Sequence, residues 1–210
     1  MKTRGRILAA AVSLFNKRGT SAVTTNHIAA AAGISPGNLY YHFRNKAGII
    51  RAILDEMDEF GAAEYQRVVV AQPPSTVEMV TNMFVMIQKF NWRYRFFKRE
   101  MTALVAADRV LKARFVQSHK TTLGLVRGAL EVAIAQELLC KLFDRELELL
   151  TEEIWLLTLF WPNYLELAGR EVDAANLARG SDLLRSILVR HATRKGLLAL
   201  AEPEAAAGAS

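Results

Sequence analysis

Residues 24–46 of the chain read TTNHIAAAAGISPGNLYYHFRNK, and this stretch decides the fold of the N-terminal part. Thr24 stands where an N-cap belongs, and apolar residues follow it at helical spacing, so a short helix is predicted over residues 25–32. Gly33 is placed to end that helix, and Ser35 to cap the next one. The stretch therefore predicts two short helices joined by a tight turn.

The second of these helices has one apolar side, formed by Leu39 and Phe43, which are four residues apart. It begins at Pro36, where the missing backbone N–H costs nothing. The other side chains point away from the core. The predicted arrangement is a helix-turn-helix, whose second helix enters the major groove of DNA. The outward residues are Gly37, Asn38, Tyr40, Tyr41 and His42.

The charge of the chain is concentrated at its N-terminus. The 210 residues are 51% hydrophobic and carry a net charge of +6. Eight lysines and arginines lie within residues 1–54, and the first acidic residue is Asp55. An uninterrupted positive segment suits a polyanion, because each neutralised phosphate releases counterions. Charge alone does not separate DNA from an anionic membrane surface, or either of these from a solvated basic face.

Helical spacing continues through the rest of the chain. Pro73-Pro74 is predicted to end the fourth helix, and Ser75 with Glu78 forms a capping-box pair for the fifth. Two long helices are predicted last, over about 145–168 and 174–194. Asn45 is expected to cap the fourth helix, and Asp108 a long helix that ends near Gln136. Asp144 and Asp173 are expected to begin the last two helices.

These elements predict an all-α fold with about nine helices. An N-terminal three-helix domain with the helix-turn-helix is expected, followed by a larger helical ligand-binding and dimerisation domain. The predicted divisions are 1–48 for the DNA-binding domain, 49–195 for the regulatory and dimerisation domain, and 196–210 for a flexible tail.

Residues 24–46 resemble the TetR family of bacterial transcription regulators. They match the pattern T-x-x-x-I-A-x-x-A-G-[VI]-S-x-G-x-L-Y-x-H-F-x-x-K. The resemblance reaches from the first predicted helix to the start of the fourth, and beyond that it extends only to the all-helical layout. It implies a dimer that binds palindromic DNA. Similar proteins are commonly repressors that leave their operator when a small molecule binds.

The resemblance and the helix positions together assign DNA-contacting roles. Asn38 is placed to read adenine through paired hydrogen bonds, and Tyr41 to touch a thymine methyl or a phosphate. Lys46 is expected to contact phosphate with the help of the helix dipole. The alternative for Tyr40 and Tyr41 is that their rings simply pack against the protein. His27 is interpreted as a surface histidine. The predicted DNA-binding residues are Thr25, Asn26, Pro36, Gly37, Asn38, Tyr40, Tyr41, His42 and Lys46.

The last two helices are predicted to form the dimer. Residues 154–161 are apolar on all sides of a helix, which is unsuited to the surface of a monomer. By resemblance they pair with the partner subunit and with 183–188 in a four-helix bundle. An ordinary buried core helix is the alternative. Pro162 is expected to kink this helix.

Methionines and aromatic residues in the C-terminal part suggest an apolar effector pocket, although they equally suit a core. Basic residues over 93–99 allow an acidic ligand, a protein contact or a solvated face. The sequence does not reveal which small molecule is the effector. The predicted pocket residues are Met83, Ile87, Phe97, Met101, Phe115 and Trp155.

The sequence favours no catalytic, cofactor or metal site. Glu148 and Glu152 share a helix face, but no histidine stands near them, so a solvated face is the preferred interpretation. Cys140 is expected to be a buried small hydrophobe. No apolar run is long enough for a membrane span, and no secretory signal is recognised, so the protein is expected in the cytoplasm.

Other functions stay open at this point. One is an enzyme or effector-binding module whose helix-turn-helix is vestigial. Another is a DNA-binding protein without a ligand. Repression and activation are not distinguished, because the outcome depends on promoter geometry.

Overall fold

The computed structural model describes residues 2–70 and 76–201, and the side chains of residues 2–63 and 83–200. Within these ranges the chain forms ten α-helices and no β-strand, which confirms the all-α prediction. The short last helix exceeds the nine that were predicted. The helices are α1 (Thr3–Arg18), α2 (Thr25–Ala31), α3 (Pro36–His42), α4 (Lys46–Val70), α5 (Thr76–Arg93), α6 (Arg95–Ala107), α7 (Arg109–Ala135), α8 (Asp144–Leu167), α9 (Ala174–Val189) and α10 (Arg194–Ala201).

Local capping explains where several helices begin. Asn45 Oδ1 accepts the backbone N–H three residues further on, at 2.9 Å. Asp108 Oδ1 accepts two N–H groups of the first turn of α7. Asp173 Oδ1 accepts the N–H of Asn176 at 2.7 Å. These bonds satisfy backbone donors that have no partner inside the helix.

Some of the predicted features lie outside the described residues. They include the Pro73-Pro74 helix end, Ser75 of the predicted capping box and the segment 202–210. The beginning of the segment predicted as a flexible tail is helical, since α10 runs to Ala201 and its Leu200 side chain is buried.

The chain divides into two compact units. Unit 1 contains the described residues up to Tyr65 together with Trp92–Lys112. Unit 2 contains Gln66–Asn91 and the residues from Ala113 onward. Helix α4 runs without interruption through the predicted domain boundary at residues 48 and 49. The division by function stays a prediction.

In unit 1, α6 is bonded to α1 through one buried asparagine. Asn16 is 8% exposed. Its Nδ2 donates to the carbonyl oxygen of Arg93 at 2.9 Å, and its Oδ1 accepts the N–H of Phe96 at 3.0 Å. The Phe15 and Phe96 rings pack beside these bonds with centroids 5.2 Å apart. The asparagine amide therefore satisfies backbone groups where α5 gives way to α6.

Charged and polar groups of unit 1 add to this attachment. Both carboxylate oxygens of Glu100 accept hydrogen bonds from Thr20, one from its N–H at 2.9 Å and one from its hydroxyl. Arg51 Nε donates to Asp108 at 2.7 Å and holds the pKa of that carboxyl below its usual value. Burial lowers the pKa of Lys98 on α6 to about 8. Polar side chains thus tie α6 and the start of α7 to the N-terminal helices within this unit.

In unit 2, a proline inside α8 explains two buried amides. Pro162 has no N–H, so the carbonyl oxygen of Thr158 lacks its helical donor. Gln88 Nε2 and Asn91 Nδ2 both donate to that oxygen, at 3.1 and 2.9 Å. Gln88 and Asn91 are 1% and 2% exposed. The missing backbone bond is therefore replaced by side chains of α5. The predicted kink at Pro162 stays a prediction.

Replacing Gly180 by alanine is expected to destabilise the protein by about 1–3 kcal/mol, because overpacking strains a filled core. A Cβ on Gly180 would lie 2.6 Å from Trp161 Nε1 and 2.9 Å from the Phe84 ring. Gly124→Ala on α7 is the matched control, since nothing lies within 4 Å of its added carbon. The control is expected to stabilise by up to about 1 kcal/mol through helix propensity. Urea denaturation measures both changes. Equal effects of the two substitutions would contradict the close approach of α8 and α9.

Candidate nucleic-acid interface

Helix α2 begins with two reciprocal hydrogen bonds. The Thr24 hydroxyl accepts the N–H of His27 at 3.2 Å, and the Thr24 N–H donates to His27 Nδ1 at 3.3 Å. His27 takes the position that glutamate or glutamine usually occupies in a capping box. The sequence pattern predicted no role for it beyond the surface. The spacing of Thr24 and His27 was the signal that could have revealed its role.

The turn between α2 and α3 depends on a left-handed residue and an arginine. Gly33 has φ of +63°, a conformation that glycine adopts without a steric penalty. Its N–H bonds to Ala30 and that of Ile34 bonds to Ala29, both at 3.1 Å. Arg6 Nη2 donates to the carbonyl oxygen of Ala32 at 2.5 Å. The carbonyl oxygens of Ala29, Ala30 and Ala32 are thus bonded, and Arg6 attaches α1 to this end of α2.

Helix α3 buries one side and exposes the other, as predicted. Ser35 caps it by accepting the N–H of Asn38 at 3.2 Å. Leu39 and Phe43 are 0% and 6% exposed and anchor the helix in the core of unit 1. Tyr41 is 86% exposed. The solvent-facing side of α3 therefore presents aromatic and amide groups on a fixed scaffold.

The tyrosines of α3 have different surroundings. Tyr40 is half-exposed, and its hydroxyl lies 3.1 Å from the hydroxyl of Thr25 at the start of α2. This bond joins the two helices on their outer side. Tyr41 makes an edge-to-face contact with the His42 ring, with centroids 5.2 Å apart. Neither tyrosine is buried, so the alternative that they pack into the core is wrong.

Lys46 has a structural role that the sequence did not reveal. Its ammonium donates to the carbonyl oxygens of Thr20 and Val23, at 2.6 and 3.0 Å. These bonds hold the segment between α1 and α2 against the start of α4. An ammonium has three donors, so a phosphate contact stays compatible with both bonds. That contact remains a prediction.

Substituting Lys46 by methionine is expected to lower the free energy of unfolding by about 1.5–3 kcal/mol, because charge-assisted hydrogen bonds to two carbonyls are lost. Arg44→Met is the control, since Arg44 is an exposed cation two residues away. It is expected to leave the stability nearly unchanged. Urea denaturation of the two variants measures this difference. A Lys46 variant as stable as the wild type would contradict the structural role.

The surface around this motif is basic. Arg4 stacks over the Phe43 ring with its guanidinium carbon 5.5 Å from the centroid. No acidic residue occurs before Asp55. A polyanion therefore meets no like charge from the first three helices. The exposed cations are Lys2, Arg4, Arg6, Lys17, Arg18 and Arg44.

The structure places all nine predicted DNA-binding residues on α2, α3 and the first residue of α4. Six are exposed, and Thr25, His42 and Lys46 are half-buried. Two short helices at a tight turn, with an exposed second helix and basic surroundings, define a helix-turn-helix of the DNA-binding type. The contacts of the individual residues with DNA stay predictions.

Comparison with known proteins agrees with this class. The family model described as bacterial regulatory proteins of the tetR family matches residues 7–53. The model described as bacterial transcriptional repressor matches residues 55–200. The chain therefore belongs to the TetR family of helix-turn-helix transcriptional regulators.

Individual relatives match to different extents. The helix-turn-helix regulator TtgR of Pseudomonas putida is 43% identical over 58 residues, which are 28% of either chain. The repressor KstR2 of Rhodococcus jostii is 35% identical over 113 residues, 50% of this chain and 53% of the relative. The matches thus span about a quarter to a half of these curated relatives. A solved TetR-family regulator from Marinobacter aquaeolei is 28% identical, with a TM-score of 0.83 over 96% of this chain and 97% of the other.

The six residues predicted to line an effector pocket belong to both units. Phe97 is buried in unit 1, where Met101 is half-buried. The remaining four, Met83, Ile87, Phe115 and Trp155, lie in unit 2 and are half-buried. Their assignment to a pocket stays a prediction.

The structure tests the predicted burial of Cys140. Cys140 is exposed, so its prediction as a buried residue is wrong. It lies between α7 and α8, and its backbone N–H donates to the carbonyl oxygen of His191 at 2.8 Å. Among the described residues, no three His, Cys, Asp or Glu side chains are grouped as metal ligands. None of the described helices combines the length and apolarity that crossing a bilayer requires.

Proposed function

We propose that this chain is a homodimeric, sequence-specific DNA-binding regulator. In this proposal it is a repressor that releases its operator when a small molecule binds. The observation that carries the proposal is the exposed side of α3 on an N-terminal segment with no acidic residue before Asp55. The protein acts in the cytoplasm, with no membrane attachment and no cofactor.

In this proposal, different residues contact the bases and the phosphates. Asn38 reads a base edge near the N-terminus of α3, where Gly37 allows the backbone to come close. Added bulk at Gly37 would meet no protein atom within 4 Å, so the space beside it is open to DNA. Tyr41 contacts a thymine methyl or a phosphate. Lys46 with the start of α2 binds phosphate and sets the register.

The dimer forms through α8 and α9. Their outer face exposes large apolar side chains that are costly to leave in water. A shallow groove on this face is lined by apolar side chains of α8 and α9 together with Arg170 and Arg179. A two-fold symmetric dimer carries two helix-turn-helix motifs, one for each half-site of a palindrome. The exposed apolar residues are Leu156, Phe160, Tyr164 and Leu183, between 40% and 52% exposed.

Sequence selection from a random duplex pool at about 150 mM salt tests the proposal. The control is the double variant Asn38→Ala with Tyr41→Ala, because both side chains are exposed and their loss spares the core. A palindrome enriched by the wild type and lost with the control is the expected result. Enrichment of a single half-site would contradict the dimer. No enrichment by protein freed of bound small molecules would contradict sequence-specific binding.

A further inference from the structure

Two arginines of α1 contact residues at opposite ends of α3. Arg6 Nη2 donates to the carbonyl oxygen of Ala32 at 2.5 Å and lies 3.5 Å from that of Gly33, in the turn that leads into α3. The guanidinium carbon of Arg4 lies 5.5 Å from the centroid of the Phe43 ring, at the residue that ends α3. Both side chains therefore lie against the protein at the two limits of the helix that is proposed to enter the major groove.

Helix α3 depends on neighbouring elements for its orientation. Of its seven residues, all of which the structure describes, Leu39 alone is buried. A helix this short is not stable by itself, so its direction is set by what packs against it. By contrast, α1 has 16 residues and is anchored beside the two arginines by Ile7 and Leu8, both 0% exposed. Helix α1 is thus a fixed support from which Arg4 and Arg6 reach the ends of α3.

Both arginines have partners within unit 1 for their charge. Arg6 bonds to the C-terminal end of α2, where a cation is favoured by the unpaired carbonyls and the helix dipole. Burial raises the pKa of Glu56 on α4, and the positive charge of Arg4 opposes that rise. Arg4 therefore interacts with a carboxylate as well as with the Phe43 ring. A phosphate is not needed to explain the position of either cation.

We propose that Arg4 and Arg6 are positioning residues for α3 and not phosphate ligands. This inference rests on the proposed function, because it concerns how α3 is held for reading DNA. Arg6 fixes the turn before α3, and Arg4 fixes the ring at its end, so the loss of either allows α3 to shift against the base edges. Base contacts depend on that geometry, whereas phosphate contacts depend on charge. The two roles therefore predict different losses of binding.

Binding of the full chain to its selected operator and to a scrambled duplex of equal length separates the two roles. Arg6→Met is expected to weaken operator binding by about 5- to 100-fold, which is what one misread base pair costs. Binding to the scrambled duplex is expected to stay nearly unchanged, because no phosphate contact is lost. The slope of log affinity against log salt concentration is expected to stay unchanged for the same reason. Arg4→Met is expected to act in the same direction, and fluorescence anisotropy measures both duplexes.

Arg44→Met is the matched control, because it removes an exposed cation that directly follows the end of α3. It is expected to weaken binding to both duplexes alike and to reduce the slope by about 0.9. Scrambled-duplex binding at the wild-type level also shows that the Arg4 and Arg6 variants are folded. Equal weakening on both duplexes in these variants, or an operator preference that either of them retains, overturns the role of that arginine. A wild type without operator preference overturns the proposed function, and this inference with it.

Discussion

The affinity of the dimer for its operator is expected to fall by about 10³–10⁵-fold between 50 and 200 mM salt, if about six to ten phosphates are neutralised. The physical reason is counterion release, and the source of the charge is the acid-free segment before Asp55. Fluorescence anisotropy with a labelled operator at several salt concentrations measures the slope of log affinity against log salt concentration. A slope near zero would contradict an interface built on phosphate contacts.

Single substitutions measure how much each residue contributes to this salt dependence. Arg44→Gln removes an exposed cation beside α3 and is expected to reduce the slope by about 0.9. Leu125→Gln changes an exposed residue of α7 without altering charge and is expected to leave the slope unchanged. A reduction of equal size in both variants would show that the effect is not a lost phosphate contact.

The same titration separates two roles of Lys46. A phosphate contact predicts that Lys46→Met lowers both the slope and the stability, whereas a purely structural lysine lowers the stability alone. Both outcomes are meaningful because the bonds to Thr20 and Val23 already use two of its donors. The sequence pattern predicted only the first role.

The features that the sequence predicted correctly are local. Ser35 and Asp173 cap helices through backbone groups three residues away, and Gly33 supplies a left-handed turn at its own position. Helical spacing placed Leu39 and Phe43 on the buried side of α3. Each of these depends on neighbouring residues, so a pattern in one dimension contains enough information to find it.

The features that it missed join distant parts of the chain. Asn16 bonds to groups about 80 residues away, and periodicity carries no information about such a pair. The Gln88 amide donates to the carbonyl oxygen that Pro162 leaves without a helical donor. Predicting this bond requires knowing that α5 packs against α8. The burial of Cys140 was predicted wrongly because it was inferred from residue type, whereas this residue lies exposed in the connector between α7 and α8.

Replacing Leu183 by aspartate is expected to convert the protein to a monomer and to weaken operator binding by at least about 100-fold. The factor follows because a dimer gains the second half-site at a high effective concentration. Leu183 lies on α9 in the apolar face shared with α8 and is 40% exposed. A buried carboxylate at the dimer interface would lack a counter-charge and oppose its own symmetry mate across the two-fold axis.

Leu125→Asp is the matched control, because Leu125 is 46% exposed on α7, outside the groove of α8 and α9. It introduces the same charge at a similar exposure, so it is expected to leave the protein dimeric. Sedimentation velocity measures the mass of both variants, and near-native thermal unfolding of each excludes general misfolding. If Leu125→Asp dissociates the dimer and Leu183→Asp does not, then the interface lies on α7 rather than on α8 and α9. If both variants remain dimeric and bind the operator normally, the apolar face needs another partner, because its exposed leucine and aromatic side chains remain costly in water.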